Sequence, residues 1–303
     1  MMMKWKTLKK MKVLTSAVLV GVLTILTAVP AFADSRDVYV SLGADLTDTQ
    51  RATVLKLLDL TEADLENADV TTITNQMEKN TLGQYLPARV IGSRALSCTK
   101  VEKTRSGGIH VTTHNISYCT EGMYQNALIT AGVENADVTV VGPTSISGTA
   151  GLVGAMKVYE NLTGNDLSED NQDAALNELI TTGDLAEELG SSEDAENLIA
   201  LVKQKVASGD LSKEEDIRRT IKESSEELGI TLSDSEVQTI LDLMKKISKL
   251  NLNADQLRQQ ATNIYNRLQN LGIEMSNYDK ETVINSISSF LQKIIDFCKG
   301  LFG

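Results

Sequence analysis

The chain changes character near residue 145, and that change limits what it can fold into more than any motif does. Before it, short β-branched runs alternate with helical stretches. After Pro143 the pattern is helical almost throughout. Only three prolines and 4% aromatic residues fit helix-rich packing. The expectation is an α+β fold: a mixed β-sheet domain with helices over residues 34–145, then an α-helical bundle domain over 146–303.

In the first part, 38–42 reads as a strand, and Thr47 with Gln50 has capping-box spacing for a helix through Val54, Leu55, Leu57 and Leu58. A second strand is expected at 70–74. Residues 88–103 and 109–118 read as a β-hairpin turning at Arg105-Ser106-Gly107-Gly108. A helix over 121–131 then leads to a strand at 138–141. Glu66-Asn67-Ala68-Asp69-Val70-Thr71 recurs as Glu134-Asn135-Ala136-Asp137-Val138-Thr139, each copy between a helix and a strand. That repeat fits either a duplicated strand–helix–strand unit with its helices on one sheet face, or two separate solutions to one helix-exit turn.

In the second part, Ser212 with Glu215 and Ser233 with Glu236 have capping-box spacing. Val237, Ile240, Leu241, Met244 and Ile247 form one apolar stripe, and Leu257, Ala261, Ile264, Tyr265 and Leu268 another. A third runs from Val283 to Ile295 and includes Phe290 and Ile294, with Phe297 just beyond. It is either a core helix of the bundle or a docking helix for a protein partner.

The N-terminus carries Lys4, Lys6, Lys9, Lys10 and Lys12, an uncharged apolar run from Val13 to Val29, then Pro30-Ala31-Phe32-Ala33. This is the pattern of a signal peptide over residues 1–33, with a retained anchor as the alternative. No later stretch is long and apolar enough to span a bilayer, so no integral membrane segment is expected after cleavage. Removing those five lysines from 29 Lys and Arg leaves 24 against 41 Asp and Glu, a net charge of −17. A polyanion gains nothing from counterion release on nucleic acid, so that partner is not expected.

Little in the sequence selects a chemistry. His110 and His114 are the only histidines. In a strand, four residues span about 13 Å, too far for one metal ion, so they read as surface residues of the sheet. Cys98 and Cys119 flank the expected hairpin, and secretion permits a disulfide between them. A two-residue Gly107-Gly108 loop sets them diagonally, about 7–8 Å apart and beyond comfortable bridging. A longer turn sets them directly opposite. Cys298 is then the odd thiol, expected on the last helix.

The Gly142–Gly154 stretch lacks the Lys of a phosphate loop and the spacing of a dinucleotide fingerprint. Ser147 or Thr149 can cap a helix there, an anion can bind at that N-terminus, and Gly148, Gly151 and Gly154 let another element approach. The acid-rich 164–173 stretch has Asn171 and Asn177 where a calcium loop starting at Asp166 needs Gly and Glu. No catalytic residue, metal site or cofactor is assigned.

Several segments together resemble the YpuA-like family, a domain of unknown function (DUF1002). They are Val40–Thr47, Val90–Ser97, Thr130–Val133, Ile146–Gly151 and Thr181–Leu185. Cys98 and Cys119 look like departures from its pattern. The resemblance implies a secreted protein of Gram-positive bacteria and carries no activity with it. The favoured function is a non-catalytic binding or interaction module, extracellular or loosely held at the cell envelope. Arg94, which interrupts an apolar strand pattern, would bind ligand together with Ser147 and Thr149. Phe290, Ile294 and Phe297 would contact an envelope protein. The alternative is a carboxylate-based hydrolase of a cell-wall polymer, needing two acids in one cleft.

Overall fold

The computed structural model describes residues 39–209 and 211–270. The expected signal peptide over residues 1–33 lies outside them. So does the terminal stripe with Phe290, Ile294 and Phe297, along with Cys298. Among the described residues no helix is long and apolar enough to cross a membrane.

The fold is α+β. Strands β1 (Tyr39–Gly43), β2 (Asp69–Ile73), β3 (Cys98–Lys103), β4 (Ile109–Ile116) and β5 (Ala136–Ile146) form one mixed sheet, ordered β2-β1-β3-β5-β4. Helices α1 (Asp48–Leu57) and α2 (Glu62–Leu65) join β1 to β2. Helices α3 (Asn75–Leu82) and α4 (Ala88–Ile91) precede β3, and α5 (Glu121–Ala131) joins β4 to β5. After the sheet come α6 (Thr149–Thr163), α7 (Glu169–Leu189), α8 (Ser192–Ser208), α9 (Glu214–Glu227), α10 (Asp234–Ile247) and α11 (Ala254–Asn270).

Local signals set many of these boundaries. Thr47 and Gln50 form both halves of a capping box at α1, as do Ser233 and Glu236 at α10. The Ser212–Glu215 box does not form: the N-cap of α9 falls one residue later, on Lys213, with no side-chain cap. The stripe Val237, Ile240, Leu241, Met244 and Ile247 is buried throughout in the second core.

The expected hairpin is not a pair of bonded strands. The chain does reverse after β3, but β5 lies between β3 and β4, antiparallel to the first and parallel to the second. The repeated hexapeptide enters β2 and β5. Each of these runs parallel to the strand that precedes it, β1 and β4 respectively. The repeat therefore marks two strand–helix–strand units, but their helices lie on opposite faces. Val40, Leu42, Cys98 and Val141 point toward Val54, Leu55 and Leu58 at α1. Alternate positions, including Val101, Val138 and Val140, join the core of α5 and α6.

This alternation also settles the cysteines. Both are buried free thiols. Cys98 belongs to the α1 core and Cys119 to the α5–α6 core, on the other face of the sheet. Burial pushes the Cys98 thiol up to about 11 and Cys119 up to about 12, so neither is a thiolate at neutral pH.

Helix α6 crosses the sheet on its glycine face. A Cβ at Gly154 would stand 2.1 Å from Ser41 Oγ, and one at Gly151 would stand 2.5 Å from Val140 Cγ1. Contact is so close that Thr99 Oγ1 donates to the Gly151 carbonyl at 3.0 Å. Helices α7 and α8 pack next, and their junction with α5 holds an ion pair. Lys203 Nζ lies 2.8 Å from Glu178 Oε1, with both side chains wholly buried. The ammonium also donates to the Asn126 carbonyl at 2.9 Å and to Thr130 Oγ1 at 3.2 Å. Lys203→Met should strand the Glu178 carboxyl and cost roughly 3–5 kcal/mol in urea unfolding. A Glu178→Leu/Lys203→Met double variant should recover much of that loss.

Candidate functional site

A cavity of about 270 Å³ opens where the loop before β3 meets the start of α6. Helix α3 brings Glu78 to it, α4 brings Arg89, the 92–97 loop brings Arg94 and Ser97, and the β5–α6 turn brings Ser147 and Thr149. Arg94, Ser147 and Thr149, chosen from the sequence, thus line one cavity. Arg94 does so from an exposed loop, not from the expected strand. Pro87 supplies the N-cap of α4, a single helical turn, and the extended chain resumes only at Cys98.

The frame is fixed by backbone bonds. Asp45 accepts the Ala95 N–H at 2.7 Å and its own N–H donates to the Ala95 carbonyl at 3.1 Å, tying the loop to the end of β1. Thr74 caps α3 by accepting from Met77 N–H, which sets the helix that carries Glu78. Gly148 holds φ +93°, a left-handed turn that swings the chain from β5 into α6, and Tyr124 donates its hydroxyl to the Gly148 carbonyl. No side chain caps α6, and Gly148, Thr149 and Ala150 at its positive dipole end line the cavity.

Glu78 and Arg89 are absent from the sequence reading. Glu78 is 1% exposed. Thr149 Oγ1 donates to its Oε1 at 2.9 Å, and Asn75 Nδ2 reaches Oε2 at 3.4 Å. Thr149 is therefore a buried partner of Glu78 more than a free ligand contact. Desolvation raises the Glu78 carboxyl above its ordinary range, against the two hydrogen bonds that lower it. Ser97, 2% exposed, makes no side-chain hydrogen bond among the described residues. Burial of a polar residue was legible at neither position, because tertiary packing produces it.

Other groups of residues are less suited to chemistry. His110 and His114 are exposed on the edge strand β4. Among the described residues no three His, Cys, Asp or Glu side chains could hold a metal ion. A groove between α7 and α10 gathers Asp184, Glu187, Glu188 and Glu236. Glu188 is held up by desolvation and by Glu236, while hydrogen bonds from Ser233 hold Glu236 down. The Glu188 and Glu236 carboxyls are in direct contact, closer than the separation of about 5 Å or more that a glycosidic bond needs between its two acids.

The family model "Protein of unknown function (DUF1002)" matches residues 42–264. The chain is 35% identical over 263 residues to "Uncharacterized protein YpuA" of Bacillus subtilis (strain 168), covering 86% of each chain. No solved structure matches it.

A carboxyl whose pKa the fold raises makes the folded state less stable as pH rises from the ordinary Glu value through the raised one. The Glu78→Gln variant should lose that contribution. Its stability relative to the parent should increase from about pH 4 toward pH 7 in parallel urea titrations.

Proposed function

The chain belongs to the DUF1002 family, and we propose that it serves as a non-catalytic ligand-binding module on the outer side of the cell membrane. The observation that carries this reading is the cavity itself. Arg89 and Arg94 line it, and Arg89 also lies near enough to Asp184 of α7 to favour the ionised form of that carboxyl. Two guanidinium groups beside an uncapped helix N-terminus form a receptor for a small ligand with an anionic group. The basic and apolar N-terminal segment supports export, and the acidic balance of the chain suits an exported protein that avoids nucleic acid. In this reading the stripe with Phe290, Ile294 and Phe297 docks the module onto an envelope protein.

Thermal unfolding against a panel of small carboxylates, phosphates and amino acids tests the cavity. A binding compound at ten times its Kd should stabilise the protein by about 1.4 kcal/mol. Arg94→Ala should unfold at nearly the parent temperature without ligand and lose that gain. A large drop without ligand would make Arg94 a structural residue and overturn the reading.

A further inference from the structure

The cavity carries charges of both signs, and the negative one lacks a cation. Glu78 has only neutral hydrogen-bond donors, Thr149 and Asn75, and no ion pair joins it to a described Lys or Arg. Burying a carboxyl in this way is costly, and buried acids are ordinarily paired. The positive groups, Arg89 and Arg94, lie on the same cavity from the exposed side. The first turn of α6 and Ser97 line the same cavity.

We infer that the cavity takes a small zwitterion, a molecule carrying a carboxylate and an ammonium group in the manner of an amino acid. The proposal rests on the reading of this cavity as the ligand site. The carboxylate would lie against Arg89, Arg94 and the α6 N–H groups, with Ser97 as a further donor. The ammonium would supply the cation that Glu78 lacks. Size agrees, since about 270 Å³ falls below the range that holds a drug-sized ligand. Charge agrees as well. A chain of net charge −12 repels a simple anion from solution, whereas a zwitterion approaches without that penalty.

Glu78 then decides specificity. Asp45 opposes its ionisation and Lys79 favours it, each less than burial does, while the Cys119 thiol and the Tyr124 phenol stand nearby and stay neutral. A protonated Glu78 cannot pair with an ammonium. The preference for a zwitterion over a plain carboxylate should therefore fade as pH drops through the raised Glu78 value.

The test compares alanine, propionate and propylamine, titrated into the ¹⁵N-labelled full chain and followed by NMR. Alanine should shift the amides of residues 89–97 and 147–151 and bind about tenfold or more tighter than propionate at neutral pH. Glu78→Gln should bring the two within about twofold of each other, by weakening alanine alone. The pH profile of the parent gives the same discrimination without a variant, so a misfolded Glu78→Gln would not block the test. Equal binding of alanine and propionate, or a ratio flat with pH, overturns the zwitterion and leaves an anion site. Silence of those amides with all three compounds overturns the zwitterion. Binding of other members of the panel through Arg94 would then still sustain the cavity as a ligand site, and their silence would sink both.

Discussion

The buried Lys203–Glu178 pair is the constraint around which the helices are arranged. Its two charges come from α8 and α7, and the groups that complete its shell come from α5, whose Asn126 and Thr130 also serve it. Desolvation pushes Glu178 up and Lys203 down, so each charge depends on the other for its ionised form. Such a pair adds little net stability over an apolar replacement, and its contacts join α5, α7 and α8 at one point. Since α5 also lies on the sheet, that junction fixes the helices against the strands. Residues from both sides of position 145 share one core, from Val101 and Val138 in the strands to Leu176 and Leu179 in α7.

The second constraint is the closeness of α6 to the sheet. Gly151 and Gly154 let its backbone rest on Val140 and Ser41, with no side chain between. A helix held so near its sheet delivers its N-terminus to one place, the mouth formed by the loop before β3. The cavity follows from that docking: its floor is the start of α6, its wall is α3 with Glu78, and its rim is the loop with Arg94. Helix α6 therefore sets both the packing of the core and the electrostatics of the site.

Much of this was legible where the signal is local. The α5 boundaries follow from the run between Thr120 and Gly132, and the α10 stripe and capping box lie in the sequence as they do in the structure. What was not legible is non-local. Arg105-Ser106-Gly107-Gly108 reverses the chain as a hairpin turn does, yet nothing in β3 or β4 announces that β5 will insert between them. The disulfide expectation depended on that hairpin and fell with it. The repeated hexapeptide makes the same point, since its valine is 38% exposed at Val70 on the sheet edge and 2% exposed at Val138 inside. Six residues can specify a helix-to-strand turn, but the strands on either side decide depth.

Arg94, Ser147 and Thr149 stood out in sequence because each breaks a pattern: a charge within an apolar run, and hydroxyls before a glycine-spaced helix. Glu78 breaks none. It is one of 41 acids and sits on a helix whose other residues are mostly polar. Only in three dimensions does it conflict with its surroundings, as a carboxyl 1% exposed that accepts hydrogen bonds from neutral donors only. A fold in which local preference and tertiary environment agree nearly everywhere is expected to break that agreement where it binds something. The break at Glu78 lies in the same cavity as the uncapped start of α6 and the open hydroxyl of Ser97. Three separate departures from good packing on one small volume are easier to understand as a receptor awaiting its ligand than as three unrelated faults.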